Sequence, residues 1–135
     1  MARTGWAMVL VWCAVAAACS SSSAPAGPPV PIDDLVAETA AAECELLVRC
    51  HIVSDVDVCQ PYFVSLFAPP TFNSFGALAA AARAGKAGYD GAAARACLDE
   101  IRHWACTRAL PNPFEVCGKA FTGTAAVGDR CIAEC

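Results

Sequence analysis

Cysteine is the residue type here with the most chemistry open to it. Ten of the 135 residues are Cys. Such a load serves either metal binding or disulfides, and the redox compartment decides which. The metal option lacks its usual spacings. No Cys-x-x-Cys pair occurs, and His51 and His103, the only histidines, sit in no His-Glu-x-x-His frame. Cys50 and His51 are adjacent, but neighbouring helical residues point about 100° apart. No metal and no cofactor is expected. Thiol catalysis needs a cysteine activated by a nearby base. Cys106, three residues after His103, is the candidate; a disulfide cysteine beside a surface histidine is the simpler reading. The acidic pairs Asp33-Asp34, Asp55 with Asp57, and Asp99-Glu100 would suit acid–base work or calcium. Helix caps and solvated turns account for them more economically. No Gly-x-Ser-x-Gly or phosphate loop is present. No catalytic residue is assigned, and the chain is not expected to be an enzyme.

The N-terminal segment argues for disulfides. Arg3 begins a thin positive region, and residues 6–18 form an uncharged apolar run. That run is shorter than the roughly 20 residues a membrane-spanning helix requires. It ends in Ala16-Ala17-Ala18-Cys19, followed by four serines and a stretch rich in Ala, Gly and Pro. Residues 1–18 therefore read as a signal peptide, and residues 19–31 as a flexible tether. Small residues before a Cys, then a serine run, resemble the lipobox of bacterial lipoproteins, with Ala16 where that family favours Leu. The resemblance implies lipidation of Cys19. Cys13 suits this role less well, because bulky Trp12 precedes it. Cleavage at an Ala-x-Ala site without a lipid, and an uncleaved anchor, are the alternatives.

Removing that segment takes away Arg3 and leaves eight basic and thirteen acidic side chains, a net charge of −5. A mildly acidic, unclustered surface excludes nucleic acid as an expected partner. It also leaves the lipid, rather than charge, to make any membrane contact.

The elements that must position the remaining cysteines read as helices. Leu35, Val36, Thr39, Ala42, Leu46, Leu47 and Cys50 recur at three- and four-residue spacing, with Asp33 as the expected N-cap. A second helix is expected over residues 58–67, capped by Asp57, with Pro61 in its first turn and Tyr62, Phe63, Leu66 and Phe67 in the core. A third spans residues 71–84, with Phe72, Phe75 and Leu78 on one face, and Gly85 and Gly88 ending it. The fourth opens at Tyr89-Asp90, capped by Asp90, and runs to about residue 105. Its stripe is Cys97, Ile101 and Trp104, widened by Ala94, Leu98 and Ala105. Arg95, Asp99 and Arg102 form a surface ladder on another face. Pro111-Asn112-Pro113 is a turn, residues 114–119 are one helical turn, and residues 121–131 are a loose hairpin or irregular loop. The expected fold is all-α: a disulfide-stapled bundle of about four helices over residues 32–120, with an irregular tail. The hydrophobic fraction is 57%, but much of it is alanine, which favours helix without building a large core. Covalent staples suit such a domain.

Disulfides require Cα atoms about 4.4–6.8 Å apart. Cys44 and Cys50, six residues apart on one helix, are separated by roughly 9 Å of rise and should not pair. Cys97 and Cys106 are further apart still. Cys50 and Cys59 bracket one turn, and Cys106 and Cys117 bracket another. The expected pairing is therefore Cys50–Cys59 and Cys106–Cys117, with Cys44–Cys97 joining the two main helices. Cys131 and Cys135 are left unassigned.

Gly128-Asp129-Arg130-Cys131-Ile132-Ala133-Glu134-Cys135 resembles the start of a Cys-rich, Dickkopf-like module of predicted myxobacterial lipoproteins. That module has four residues between its cysteines; three stand here. The segment from Tyr89-Asp90 to Cys97-Leu98, and the stretch through Cys117 and Phe121-Thr122-Gly123, are similar to the helical region preceding it. The resemblance implies an envelope protein of unknown function and points to no activity, with residues 121–135 opening a Cys-rich module whose further repeats would follow Cys135. The expected role is a non-catalytic envelope lipoprotein, facing the periplasm or the cell surface. It would be held to the membrane through Cys19 and bind an envelope protein or glycan. The rivals are a secreted effector and an enzyme-associated domain whose active part follows Cys135.

Overall fold

The computed structural model describes residues 27–71, 74–107 and 109–124. Five helices and two short strands occur among them: α1 (Leu35–Arg49), α2 (Val56–Phe67), α3 (Phe75–Arg83), β1 (Ala87–Tyr89), α4 (Gly91–Arg102), α5 (Pro113–Cys117) and β2 (Phe121–Gly123), with a 3-10 turn at Gly118–Ala120 before β2. The protein is mostly helical and disulfide-bonded, as the periodicity implies. The all-α expectation is corrected by the antiparallel pair β1–β2, and the count of about four helices by a fifth. The strands are only three residues long, too short for an alternation signal. The pairing sets Tyr89 opposite Phe121, their rings 5.3 Å apart, a cross-strand aromatic pair of the kind that stabilises sheets.

Helix α1 is the central element and packs on α2, α3 and α4. Its fully buried stripe includes Leu35, Thr39, Ala42 and Leu46, three or four residues apart as one helix face requires. Thr39 satisfies its hydroxyl by donating to Leu35 O at 2.7 Å. The N-cap is Asp34, which makes no side-chain cap bond; Asp33, the expected cap, accepts from Arg83 of α3 instead. At the other end the chain turns through a left-handed residue, His51 (φ 57°). His51 N donates to Val48 O and Ile52 N to Leu47 O, the paired bonds of a Schellman stop. Gly85 (φ 70°) ends α3 the same way, bonding to Ala82 O, with Lys86 N on Ala81 O.

The start of α2 is Asp55, whose carboxylate accepts from Asp57 N at 2.7 Å, so the helix begins two residues before expectation. That shift places Pro61 in the second turn. Cys59, Phe63 and Phe67 face inward at four-residue spacing. Val58, Tyr62 and Leu66, one position earlier each time, point outward and are 78%, 65% and 53% exposed. Tyr62 and Leu66 are therefore surface residues, not core. Ser74 caps α3, and Phe72, expected on its inner face, lies outside the described residues. Asp90 caps α4 as expected, accepting from Ala92 N and Ala93 N. The stripe of α4 is Ala94, Cys97, Leu98 and Ile101. Trp104 and Ala105 lie beyond its end, Trp104 half-buried and Ala105 exposed.

The arginines of α4 reach across to another helix. Arg102 meets Glu45 at 2.8 Å, Glu38 at 3.2 Å and Asp99 at 3.3 Å, and Arg95 meets Glu38 at 3.3 Å. The seam thus ties α4 to α1 and includes the Asp99–Arg102 step of the expected ladder along α4. Partial burial disfavours the Arg102 charge, but Glu45 and Glu38 outweigh it and raise the guanidinium pKa.

The segment before α1 is docked as well. Val30 is buried in the core, donates to Gly91 O at 2.9 Å and accepts from the Tyr89 hydroxyl at 2.9 Å. Only glycine fits at 91, because a Cβ there would stand 2.6 Å from Val30 O.

The six described cysteines form three disulfides: Cys44–Cys59, Cys50–Cys106 and Cys97–Cys117. All three expected pairings, Cys44–Cys97, Cys50–Cys59 and Cys106–Cys117, are corrected. The chain turns back after α1, and Cys44 and Cys59 each stand about one turn from the connection, on adjoining faces. Cys50 lies about 120° around α1 from Cys44 and so faces a different neighbour, the segment after α4. Cys97 faces α5 from inside the core. The two exclusions from helix geometry hold, since neither Cys44–Cys50 nor Cys97–Cys106 is bonded. Cys19, Cys131 and Cys135 lie outside the described residues.

The bridges close loops of 15, 56 and 20 residues. In the chain-entropy account, the longest loop restrains the unfolded chain most. Replacing Cys50 and Cys106 by Ala should cost about 4 kcal/mol, against about 3 kcal/mol for Cys44 with Cys59, read by urea denaturation of the oxidised proteins. Non-reducing peptide mapping should join Cys44 to Cys59; a Cys44–Cys97 peptide would contradict the fold.

Candidate functional site

A carboxyl group in an apolar wall is the most chemically unusual feature of the described residues. Glu43 sits on α1 between Thr39 and Leu47, on the helix face that packs against its neighbours, and is only 4% exposed. Its Oε1 is buried without a hydrogen-bond partner. Burial raises its pKa from the ordinary 4.5 to about 7. The cause is desolvation, because the charged form loses water and gains no counter-charge.

Glu43 is part of the lining of an open cleft of about 290 Å3. Helix α1 contributes Glu43 and Leu47, α2 contributes Phe63, Leu66 and Phe67, and the segment from Leu110 to Phe114 closes the third side. The aromatic wall is held from behind. Phe114 stacks on Phe75 with centroids 4.4 Å apart, and Phe67 meets both rings edge-on at 5.5 and 6.0 Å. Leu66 and Leu110 form an exposed apolar rim, 53% and 49% exposed. Asn112 is the other polar residue on the lining, and α5 occupies it. Its Oδ1 accepts from Phe114 N at 3.1 Å and its Nδ2 donates to Glu115 Oε1 at 3.4 Å. Glu43 is therefore the polar group left for an occupant.

The disulfides position all three walls. Cys44, next to Glu43, is bonded to Cys59 of α2. Cys117, at the end of α5, is bonded to Cys97 in the core, and Cys106 anchors the start of the 106–112 connection to α1. Arg49 braces that last bridge, donating to Cys106 Sγ at 3.4 Å and to Trp104 O.

The residues singled out for chemistry in the sequence take structural places. Cys106 is disulfide-bonded, so it offers no thiol beside His103. Asp33 pairs with Arg83, Asp55 caps α2 and Asp99 pairs with Arg102. Among the described residues no group of three or more His, Cys, Asp or Glu side chains is placed to hold a metal, and no helix is long and apolar enough to cross a membrane. Glu43 itself escaped the sequence reading. Its signal was position: it lies four residues from both Thr39 and Leu47, a charge set within the apolar stripe. No family model matches the chain, no curated protein is significantly similar to it, and no solved structure matches it.

The raised pKa makes stability depend on pH. Between pH 4.5 and about 7 the folded protein holds a proton on Glu43 that the unfolded chain has released, so stability falls as pH rises through that window. Glu43→Gln should remove this part of the slope. It should stabilise the protein on the order of 2 kcal/mol at pH 8, a value discounted for solvent in the open cleft. Thermal denaturation of both proteins from pH 4 to 8 measures it; equal slopes would contradict an uncompensated carboxyl.

Proposed function

We propose that the protein is exported and serves as a non-catalytic binding domain of the bacterial envelope, tethered by a lipid on Cys19. The observation that carries this reading is the pairing of all six described cysteines in disulfides, a state that belongs to oxidising compartments. The signal-like segment and the small residues before Cys19 supply the route and the anchor. The cleft around Glu43 supplies a recognition surface, continued along α2 by exposed Val58, Tyr62 and Leu66. Contiguous exposed apolar groups beside a pocket mark binding faces. Among the described residues the cleft lining is mainly apolar, with Glu43 as its one carboxyl, a composition that suits a binding site. In this reading residues 121–135 open a Cys-rich module of the kind found in myxobacterial lipoproteins, and the partner is an envelope protein, glycan or small molecule.

Intact-mass measurement on the membrane fraction of a bacterial host, with and without reductant, tests compartment and anchor together. The expected species begins at Cys19, carries a diacylglycerol-type adduct and gains about two daltons per bridge on reduction. Cys19→Ser should release it to the soluble fraction. A soluble product cut after Ala18 would overturn the tether in favour of a secreted effector. Free thiols throughout would overturn the compartment itself.

A further inference from the structure

We propose that the cleft around Glu43 binds the ammonium group of a small apolar amine, with the amine's hydrocarbon part against Phe63, Phe67 and Phe114. The inference rests on the binding role proposed above and names the ligand class for it; the lipid anchor plays no part.

Three observations point to a cation. The first is Glu43, a residue of the cleft lining whose Oε1 is buried without a hydrogen-bond partner. A buried polar atom left unpaired is costly, and an ammonium carries three donors to satisfy it. The second is the aromatic wall. Phe63, Phe67 and Phe114 line the cleft beside Glu43 and receive the hydrocarbon part of an amine, and no cationic side chain stands among the described lining residues to pair with a carboxylate. The third is the charge of the whole chain, −4, which steers cations toward an acidic surface and anions away from it. The size of the cleft, about 290 Å3, lies near the lower limit of ligand pockets and suits a short alkyl or aryl chain.

Among the described residues no other titratable side chain lines the cleft. On α1, Glu38 and Glu45 are turned to Arg95 and Arg102. On α2, Asp57 and Tyr62 are exposed and off the lining. Glu115 of α5 is bonded to Asn112 behind the rim. Among these groups Glu43 sets the pH dependence of occupancy. An alkylammonium stays charged to about pH 10, so binding should follow ionisation of the carboxyl. It should be weak at pH 5, strengthen through pH 7 and level off above that.

The probes are n-hexylamine, 1-hexanol and hexanoate, matched in length and different in charge. Each is titrated into the oxidised full chain at pH 8 and pH 5, followed by calorimetry and by the ring signals of Phe63, Phe67 and Phe114. Hexylamine should bind at least about tenfold more tightly than either competitor at pH 8, equivalent to about 1.4 kcal/mol, and should lose about tenfold or more at pH 5. Glu43→Gln should abolish that preference and its pH dependence, in a variant whose circular dichroism shows that it folds. Equal affinity for hexylamine and hexanol, or a preference for hexanoate, would overturn the amine assignment while leaving a binding cleft. If none of the three probes binds, the binding role of this cleft fails with it.

Discussion

The fold depends on helix α1 being gripped at two points that face different ways. Cys44 holds α2, and Cys50, about 120° around the helix, holds the segment after α4. Between them the helix presents Leu46 to the main core and Glu43 and Leu47 to the cleft. A domain this small, with much of its apolar content in alanine, buries few large side chains. Phe75, Leu35, Leu46, Leu98 and Ile101 are the largest that are fully enclosed. Loop restraint by three bridges therefore supplies stability that burial alone would leave thin. The third bridge, Cys97–Cys117, fastens α5 to α4 and brings Phe114 into stacking contact with Phe75.

The same restraint explains how an uncompensated acid can remain in the wall of the cleft. A carboxyl buried without a partner opposes folding whenever it is charged. With Cys44 beside it bonded to α2, the stretch of α1 that carries Glu43 is held against α2. Such retained penalties are characteristic of binding and catalytic sites. The charged seam on the opposite side of α1 shows the contrast. There Glu38 and Glu45 meet Arg95 and Arg102 and cost little.

Local order was legible in the residues and long-range order was not. The periodicity of Leu35, Thr39, Ala42 and Leu46 marked α1, and Asp90 before an alanine run marked the start of α4. Both signals are contained within a turn or two of helix. The disulfide partners depend instead on which helix lies against which, and spacing favoured the nearest cysteine across each turn. The angle between Cys44 and Cys50 around α1 held the missing information, but it selects a partner only once the neighbours are known. Tyr62 and Leu66 were placed in the core because large apolar residues usually belong there. The two-residue shift in the start of α2, set by Asp55 rather than Asp57, accompanies a different inner face. Glu43 had a local signal, its place between Thr39 and Leu47, but that α2 and Leu110 to Phe114 line a cleft beside it is long-range information.

The most direct measurement is the titration of the Glu43 carboxyl carbon by 13C NMR in the fully oxidised chain. Desolvation in a disulfide-braced cleft requires a midpoint near 7. It should fall toward the ordinary 4.5 once the bridges are reduced and the helices part. A midpoint of 4.5 in the oxidised protein would mean that water or a counter-charge reaches Glu43, and would contradict the account of the cleft as a site built around an unpaired acid.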